Sequence, residues 1–101
     1  MKKEQLAEVL RTVCYGRKNA MSAEHLISAT HTSATVLRNQ INRLRCEGVP
    51  IASGSEGYFY AATAGEIYAT IRDLKKMQAG IDRAVCGLES ALDAFGKRDT
   101  P

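Results

Sequence analysis

The stretch from Ser22 to Tyr60 constrains the fold of this chain most, because it predicts two helices joined by a short turn and followed by a hairpin. Ser22 and Ser33 are each placed to cap a helix, since a serine oxygen accepts an orphan amide hydrogen of the first turn. The second and stronger helix is predicted from Ala34 to Glu47. It stops at Gly48, because glycine takes the left-handed cap conformation at no steric cost.

Two short β-prone runs follow, Val49 to Ser53 and Tyr58 to Ala61, around the polar loop Ser53-Gly54-Ser55-Glu56-Gly57. Such runs around a glycine-rich turn predict a β-hairpin. Phe59 alternates with Tyr58 and Tyr60, so one set is expected to close the core while the other faces out. A helix-turn-helix followed by a hairpin is a winged helix, an arrangement that mostly binds duplex DNA.

A first helix is predicted from Lys3 to Tyr15, ending at Gly16. Its core face carries apolar residues at helical spacing, namely Leu6, Val9, Leu10 and Val13. About 100 residues give one small domain plus at most one appended element. We therefore assign residues 1–62 to a winged helix DNA-binding domain and expect a mainly α fold with a small β-hairpin.

The order of these features resembles the biotin-repressor-type winged helix. The matching residues are Ser22-x-Glu24-x-Leu26, the cap Ser33, Ile41-x-x-Leu44-Arg45, Gly48-Val49 and Gly57-Tyr58. The resemblance covers roughly residues 5 to 62 and implies a DNA-binding module. The family usually has apolar-Gly-apolar-Ser at the turn, whereas this chain has Thr30-His31-Thr32-Ser33. The turn is therefore expected to be one residue longer or slightly strained, since histidine tolerates a positive φ less well than glycine does.

The helix that starts at Ala34 has two faces when it is drawn at about 100° per residue. Leu37, Ile41 and Leu44 point together toward the core. The opposite face holds residue types that read base edges, Arg for guanine, Asn for adenine and Thr through its hydroxyl or methyl. No acid precedes Glu47 on that face. The alternative is a merely solvated face. The predicted DNA-binding residues, which include two hairpin serines, are Ser33, Thr35, Arg38, Asn39, Asn42, Arg43, Ser53 and Ser55.

The formal net charge of +3 is mild, but its distribution is informative. Up to Ala61 the chain has eight Lys and Arg residues against five acids, which leaves +3. From Ala62 onward six bases meet six acids. The excess positive charge therefore lies in the part that is predicted to meet phosphates.

A long helix is predicted from about Ala64 to Phe95, opened by a capping box between Thr63 and Glu66. Apolar residues recur there at alternating four- and three-residue steps, which is a heptad pattern broken once by Gln78. Residues 63–95 are therefore assigned to self-association, and residues 96–101 to a polar, frayed tail. The full pattern is Ile67, Ile71, Leu74, Gln78, Ile81, Val85, Leu88, Leu92 and Phe95, of which the members from Ile71 to Leu92 are the predicted dimerisation residues. The alternative is a fold-back that breaks near Gly80 or Gly87.

These features favour a sequence-specific, homodimeric, double-stranded DNA-binding protein that recognises an inverted repeat, such as a small bacterial, phage or plasmid transcriptional regulator. The alternative is a DNA-tethering or assembly module of a replication, partition or nucleoid-organising complex, with the long helix binding a partner. No catalytic or metal-ligand spacing is visible, so we expect no enzyme activity, cofactor or metal. Nor do we expect a small-molecule effector. Three scattered cysteines and the lack of an apolar membrane-length run predict a cytoplasmic protein without a membrane partner.

Overall fold

The computed structural model describes residues 1–95 and confirms a mainly α fold with a small hairpin and a long C-terminal helix. Its helices and strands, in chain order, are α1 (Lys3–Val13), a 3-10 turn (Arg17–Asn19), α2 (Ala23–Thr30), α3 (Ala34–Cys46), β1 (Ile51–Gly54), β2 (Gly57–Tyr60) and α4 (Ala64–Phe95). The chain divides into two units after Thr70, inside α4. We call Met1–Thr70 the head and Ile71–Phe95 the rod. The predicted tail, residues 96–101, lies outside the described residues.

The head closes around one apolar core to which every helix and both strands of its first sixty residues contribute. Helices α1 and α3 pack together, and so do α2 and α3, while β2 lies against α1. The buried residues of this core are Leu6, Leu10, Cys14, Leu26, Leu37, Ile41, Leu44, Ile51, Ala52 and Phe59. The predicted inward face of the second helix of the motif, Leu37, Ile41 and Leu44, is confirmed.

Helix α1 ends two residues earlier than predicted, and the prediction that Val13 packs in the core is wrong. Val13 is 54% exposed, whereas Cys14 is fully buried. The buried stripe advances in steps of four, from Leu6 to Leu10 to Cys14, and so passes Val13 by. The Cys14 carbonyl also accepts the Tyr60 amide hydrogen at 2.8 Å, which draws the chain toward the hairpin. Burial raises the pKa of the Cys14 thiol.

The turn between α2 and α3 places a histidine in the left-handed region. His31 has φ 53° and ψ 46°. The Thr32 amide donates to the Ile27 carbonyl at 3.2 Å, which closes the end of α2 as a glycine would. Ser33 then caps α3, its oxygen accepting the Val36 amide hydrogen at 3.1 Å. The turn between the helices is three residues long, His31-Thr32-Ser33, and its backbone strain lies at His31.

The hairpin has a two-residue turn, because Gly54 pairs with Gly57 across Ser55 and Glu56. The predicted loop Ser53–Gly57 is thus shorter, and its ends belong to the strands. Gly57 has φ 122°, and a Cβ there would lie 2.2 Å from the Met21 carbonyl oxygen, so only glycine fits. Met21 and Tyr58 exchange two backbone hydrogen bonds of 2.9 Å, which covers the outer edge of β2. Phe59 is the buried member of the alternation, while Tyr58 and Tyr60 are half-buried against the core.

Helix α4 starts with the predicted capping box and is anchored further into the head. The Glu66 amide donates to Thr63 Oγ1 at 3.3 Å. The Glu66 carboxylate accepts from the amides of Ala62 (2.7 Å), Thr63 (3.2 Å) and Arg17 (3.2 Å). These backbone hydrogen bonds, the one from Ala62 above all, lower the pKa of Glu66. One turn later, buried Thr70 accepts the Ser53 amide hydrogen at 3.1 Å. The start of α4 is therefore part of the head.

Helix α4 is continuous from Ala64 to Phe95, so the predicted alternative of a break near Gly80 or Gly87 is wrong. Each glycine costs about 1 kcal/mol of helix propensity relative to alanine. That cost is spread over 32 residues, too little to interrupt the helix. Within residues 1–95, no helix combines the length and the apolar character that a membrane crossing requires.

Candidate nucleic-acid interface

Helix α3 presents one continuous exposed face. The residues opposite its buried ridge span an arc of about 140° at 100° per residue. We call them the α3 arc, and all are exposed: Thr35, Arg38, Asn39, Asn42, Arg43 and Cys46. The arc carries two guanidinium groups, two amides and no carboxylate. Within residues 1–95, neither Arg38 nor Arg43 forms an ion pair, so both keep their donors for another partner.

Lys3 of α1 neutralises Glu47, the acid next to the α3 arc. Glu47, the residue that follows α3, forms an ion pair with Lys3, and this hydrogen bond raises the pKa of Lys3. The charge of Arg43 lies close enough to act on Lys3 in the opposite direction. Gln40 is also used inside the head, since its amide donates to the Met1 carbonyl. The ion pair from the start of α1 therefore removes the effect of the one acid that flanks α3.

Arg45 connects α3 to the hairpin instead of facing outward. Its Nε donates to the Ile51 carbonyl at 2.8 Å, and its Nη2 donates to Ser53 Oγ at 3.2 Å. The guanidinium carbon lies 6.0 Å from the centroid of the Tyr58 ring. Burial lowers the pKa of Arg45, which still leaves the group charged at neutral pH. These contacts set the position of the hairpin relative to α3.

The two serines predicted to bind DNA from the hairpin lie in different surroundings. The Ser53 hydroxyl accepts from Arg45, and its amide donates to Thr70, so both groups are engaged inside the head. Ser55 is exposed in the two-residue turn beside exposed Glu56. Ser33 is exposed, but its oxygen is the cap acceptor of α3. Of the three predicted serines, Ser55 is the one whose hydroxyl no hydrogen bond engages in the described part of the chain.

In the structure, Arg17 places a positive charge beside the hairpin, whose own loop has no Lys or Arg. The Arg17 guanidinium lies 5.7 Å from the centroid of the Phe59 ring. A Cβ added at Gly54 would meet Arg17 Nη1 at 3.7 Å. Lys18 and Glu56 line the same open cavity of about 650 Å³. The 3-10 turn thus supplies the base that the hairpin is missing. No pairing rule in the sequence connects residue 17 to residue 54, so sequence reasoning missed this contact.

A small apolar groove lies at the start of α3. It has a volume of about 230 Å³ and is lined by Ala23, Ile27, Ala34, Leu37, Arg38 and Tyr58. The groove therefore joins α2, α3 and β2 next to the first arginine of the α3 arc. Apolar side chains in such a place can contact a thymine methyl group, while an adjacent arginine can bond a guanine edge.

The rod carries a row of large apolar side chains, interrupted once by Gln78, that are exposed in the single chain. We call this row the seam: Ile71, Leu74, Gln78, Ile81, Val85, Leu88, Leu92 and Phe95, all exposed. Leu88 is 70% exposed and Ile81 is 62% exposed. Met77, also 63% exposed, widens the row on one side. Large exposed apolar surfaces are typical of interaction sites.

No cluster of three His, Cys, Asp or Glu side chains that could hold a metal ion occurs in the part of the chain that the structure describes. Cys46 and Cys86 are exposed free thiols, and Cys14 is a buried one. A comparison with family models, curated proteins and solved structures found no match.

Proposed function

We propose that this chain is a sequence-specific double-stranded DNA-binding protein, a small homodimeric transcriptional regulator of bacterial, phage or plasmid type. The observation that carries the proposal is the α3 arc, an exposed, acid-free helix face with Arg38, Asn39, Asn42 and Arg43. An α-helix fits the major groove of B-DNA, where arginine pairs with guanine and asparagine with adenine. A face of this composition has the donors for base readout and no carboxylate to repel phosphates.

The remainder of the head supports this role. Its element order is that of a winged helix, and the biotin-repressor-type module is the family that we propose for it. Residues 1–61 hold eight Lys and Arg residues against five acids, and Arg17 lies beside the hairpin. Contacts from such residues to phosphates position a reading helix without carrying sequence information. Lys18 and Ser55, both exposed, are the further groups that we propose for phosphate contact.

The seam supports a dimer, since a single copy leaves apolar residues such as Leu88 and Leu92 in water. Burying such side chains is worth about 1.5 to 3 kcal/mol each. A two-fold dimer would offer two α3 helices to an inverted repeat, with half-sites one helical turn apart. We propose that regulation comes from abundance or a protein partner and that the protein acts in the cytoplasm, without a small-molecule effector or catalysis.

A second candidate function is a tethering or assembly module, and the length of the exposed seam favours it. In that case the seam would bind a different protein, while the head would bind DNA with little sequence preference. The two functions differ in specificity: a regulator prefers its site over random duplex by about 10³-fold or more at physiological salt.

Selection of bound duplexes from a random library, with the mass of the oligomer measured in parallel, tests the proposal. Enrichment of an inverted repeat by a dimer is the expected result. Recovery of duplexes without a shared sequence would instead favour tethering. A chain that retains no duplex would contradict both versions. Salt concentration has to be fixed across rounds, because phosphate contacts make affinity strongly salt-dependent.

A further inference from the structure

The charges of the rod are unevenly distributed along its length. Residues 71–79 contain three bases and one acid, a net +2, whereas residues 80–95 contain one base and three acids, a net −2. The helix dipole does not account for this order, because the last turn holds Asp93 and no base. A neighbouring helix that runs in the opposite direction would place each basic half beside an acidic half.

The residues that flank the seam also favour an antiparallel neighbour over a parallel one. In a parallel pair, each g position meets the e position five residues later on the other helix. Here those pairs are Thr70 with Lys75, Met77 with Asp82, and Ala84 with Glu89, so no opposite charges meet. A parallel pair would also set the basic halves side by side.

An antiparallel pair brings e positions opposite e positions. Lys75 then meets Glu89 of the second copy, and two-fold symmetry repeats this pair. Asp82 meets its own counterpart close to the midpoint of the pair. The dimer would therefore have one like-charge contact and two opposite-charge contacts. Lys75, Asp82 and Glu89 are all exposed in the single chain and therefore accessible to a second copy.

The same antiparallel register covers the whole seam. Pairing Ile71 with Phe95 of a second copy also pairs Leu74 with Leu92, Gln78 with Leu88 and Ile81 with Val85, with residue 83 at the midpoint. Each apolar layer joins one residue from each helix, and no layer is left over. Gln78 would meet a leucine, next to the Lys75 and Glu89 pair.

We propose that the seam is covered by a second copy of the rod running antiparallel, aligned about residue 83. The inference rests on the homodimer of the proposed function and adds its orientation. It places the two starts of the rods at opposite ends of the pair, about 36 Å apart along the axis at 1.5 Å per residue. The basic half of each rod then lies along the acidic half of the other.

Spin-label distances between the two copies test the orientation. In a chain with Cys46→Ser and Cys86→Ser, buried Cys14 remains unlabelled, and Asp93→Cys supplies the label site. The antiparallel register predicts a distance of about 30 Å between the two labels, whereas a parallel pair predicts less than about 20 Å. Arg83→Cys is the matched control, because it lies at the midpoint and gives a short distance in either orientation.

Exchanging the charges of Lys75 and Glu89 is a second, independent test of the orientation. Lys75→Glu and Glu89→Lys should each weaken the dimer about fivefold, since two exposed ion pairs become like-charge contacts. The double variant restores both pairs in opposite polarity, so its dimer affinity should return to within about twofold of the original. In a parallel dimer neither residue faces an opposite charge, and the double variant would show no recovery.

These experiments distinguish failure of the antiparallel orientation from failure of the dimer and of DNA binding. A short distance at residue 93, or no recovery in the double variant, overturns the antiparallel orientation and leaves the dimer intact. A monomer with no distance between copies overturns the orientation together with the dimer. Sequence-selective DNA binding is measured separately, on the random-library selection, and does not depend on which orientation is found.

Discussion

The head and the rod treat their apolar residues in opposite ways. In the head, Phe59, Leu26 and Leu10 are at most 1% exposed and belong to a core built by three helices and the hairpin. In the rod, Leu88 and Leu92 are 70% and 63% exposed. The head buries its large apolar side chains within one chain, whereas the rod leaves them exposed. This difference is consistent with the proposed separation of tasks, in which the head reads DNA and the seam pairs two chains.

The difference also predicts separate sensitivities to protein concentration. Phe59→Ala should lower the free energy of unfolding by about 3 to 5 kcal/mol at any concentration, because it leaves a cavity in the head. Leu88→Ala should act only where two chains are associated. Thermal unfolding of both variants over a dilution series is the measurement. A Leu88→Ala defect that persists unchanged on dilution would mean that the rod is packed within a single chain.

Charged substitutions in the seam should lower DNA affinity while the chain stays folded. Ile81→Asp combined with Leu88→Asp is expected to give a folded monomer whose affinity for the selected duplex is lower by about 10²-fold, the usual gain from linking two binding units. Ala79→Asp combined with Cys86→Asp is the matched control, since it adds the same charges outside the seam. Equal losses in the two double variants would show that charge, and not the seam, sets the affinity.

Substitutions on the α3 arc should affect specificity. Arg38→Ala and Asn39→Ala are each expected to weaken binding to the selected site by about 1 to 3 kcal/mol and to relax preference at one or two base pairs. Arg11→Ala serves as control, because that arginine is paired with Glu8 on α1. Affinity for selected and scrambled duplexes is compared for all three. Losses that are equal on the two duplexes would identify these side chains as phosphate contacts.

The hairpin turn should make a smaller contribution, which appears in the salt dependence. The turn itself has no base, so few phosphates are neutralised there. Ser55→Lys combined with Glu56→Lys should steepen the slope of log affinity against log salt by about 0.9 for each new phosphate contact. Affinity measured across a salt series gives this slope. An unchanged slope would mean that the turn does not approach DNA.

The junction between head and α4 should respond to acid. The folded state lowers the pKa of Glu66 below its unfolded value near 4.5, so the charged carboxylate stabilises the fold above that value. The contribution is lost as the pH falls through the lower folded pKa. Glu66→Gln should therefore lower the melting temperature more at pH 7 than at pH 3. A difference in melting temperature that is the same at both values would assign the effect to shape instead of charge.

Local signals predicted much of this fold. The serine caps, Gly48 and the capping box at Thr63 each depend on residues within a few positions of one another, and the capping box predicted the start of α4 at Ala64 correctly. The predicted end of α1 was wrong because it depends on a distant partner: the Tyr60 amide donates to the Cys14 carbonyl just after the helix ends at Val13. Periodicity within one helix carries no information about that contact.

The candidate site was predictable in the same local sense. The α3 arc follows from helical spacing alone, and so does its lack of acids. The contacts that surround it do not. Arg45 could have been placed by its angle, four residues after buried Ile41, but its bonds to Ile51 and Ser53 depend on how the hairpin folds back. Arg17 meets the hairpin through tertiary packing, which no spacing in the sequence encodes.

Sedimentation of the intact chain with the selected duplex tests the division of tasks most directly. Two chains per duplex, together with a preference of about 10³-fold or more over scrambled DNA of the same length, is the expected result. It requires both the α3 arc and the seam to act as described. One chain per duplex at saturation, or equal affinity for the two duplexes, would contradict the account of a head that reads sequence and a rod that pairs the heads.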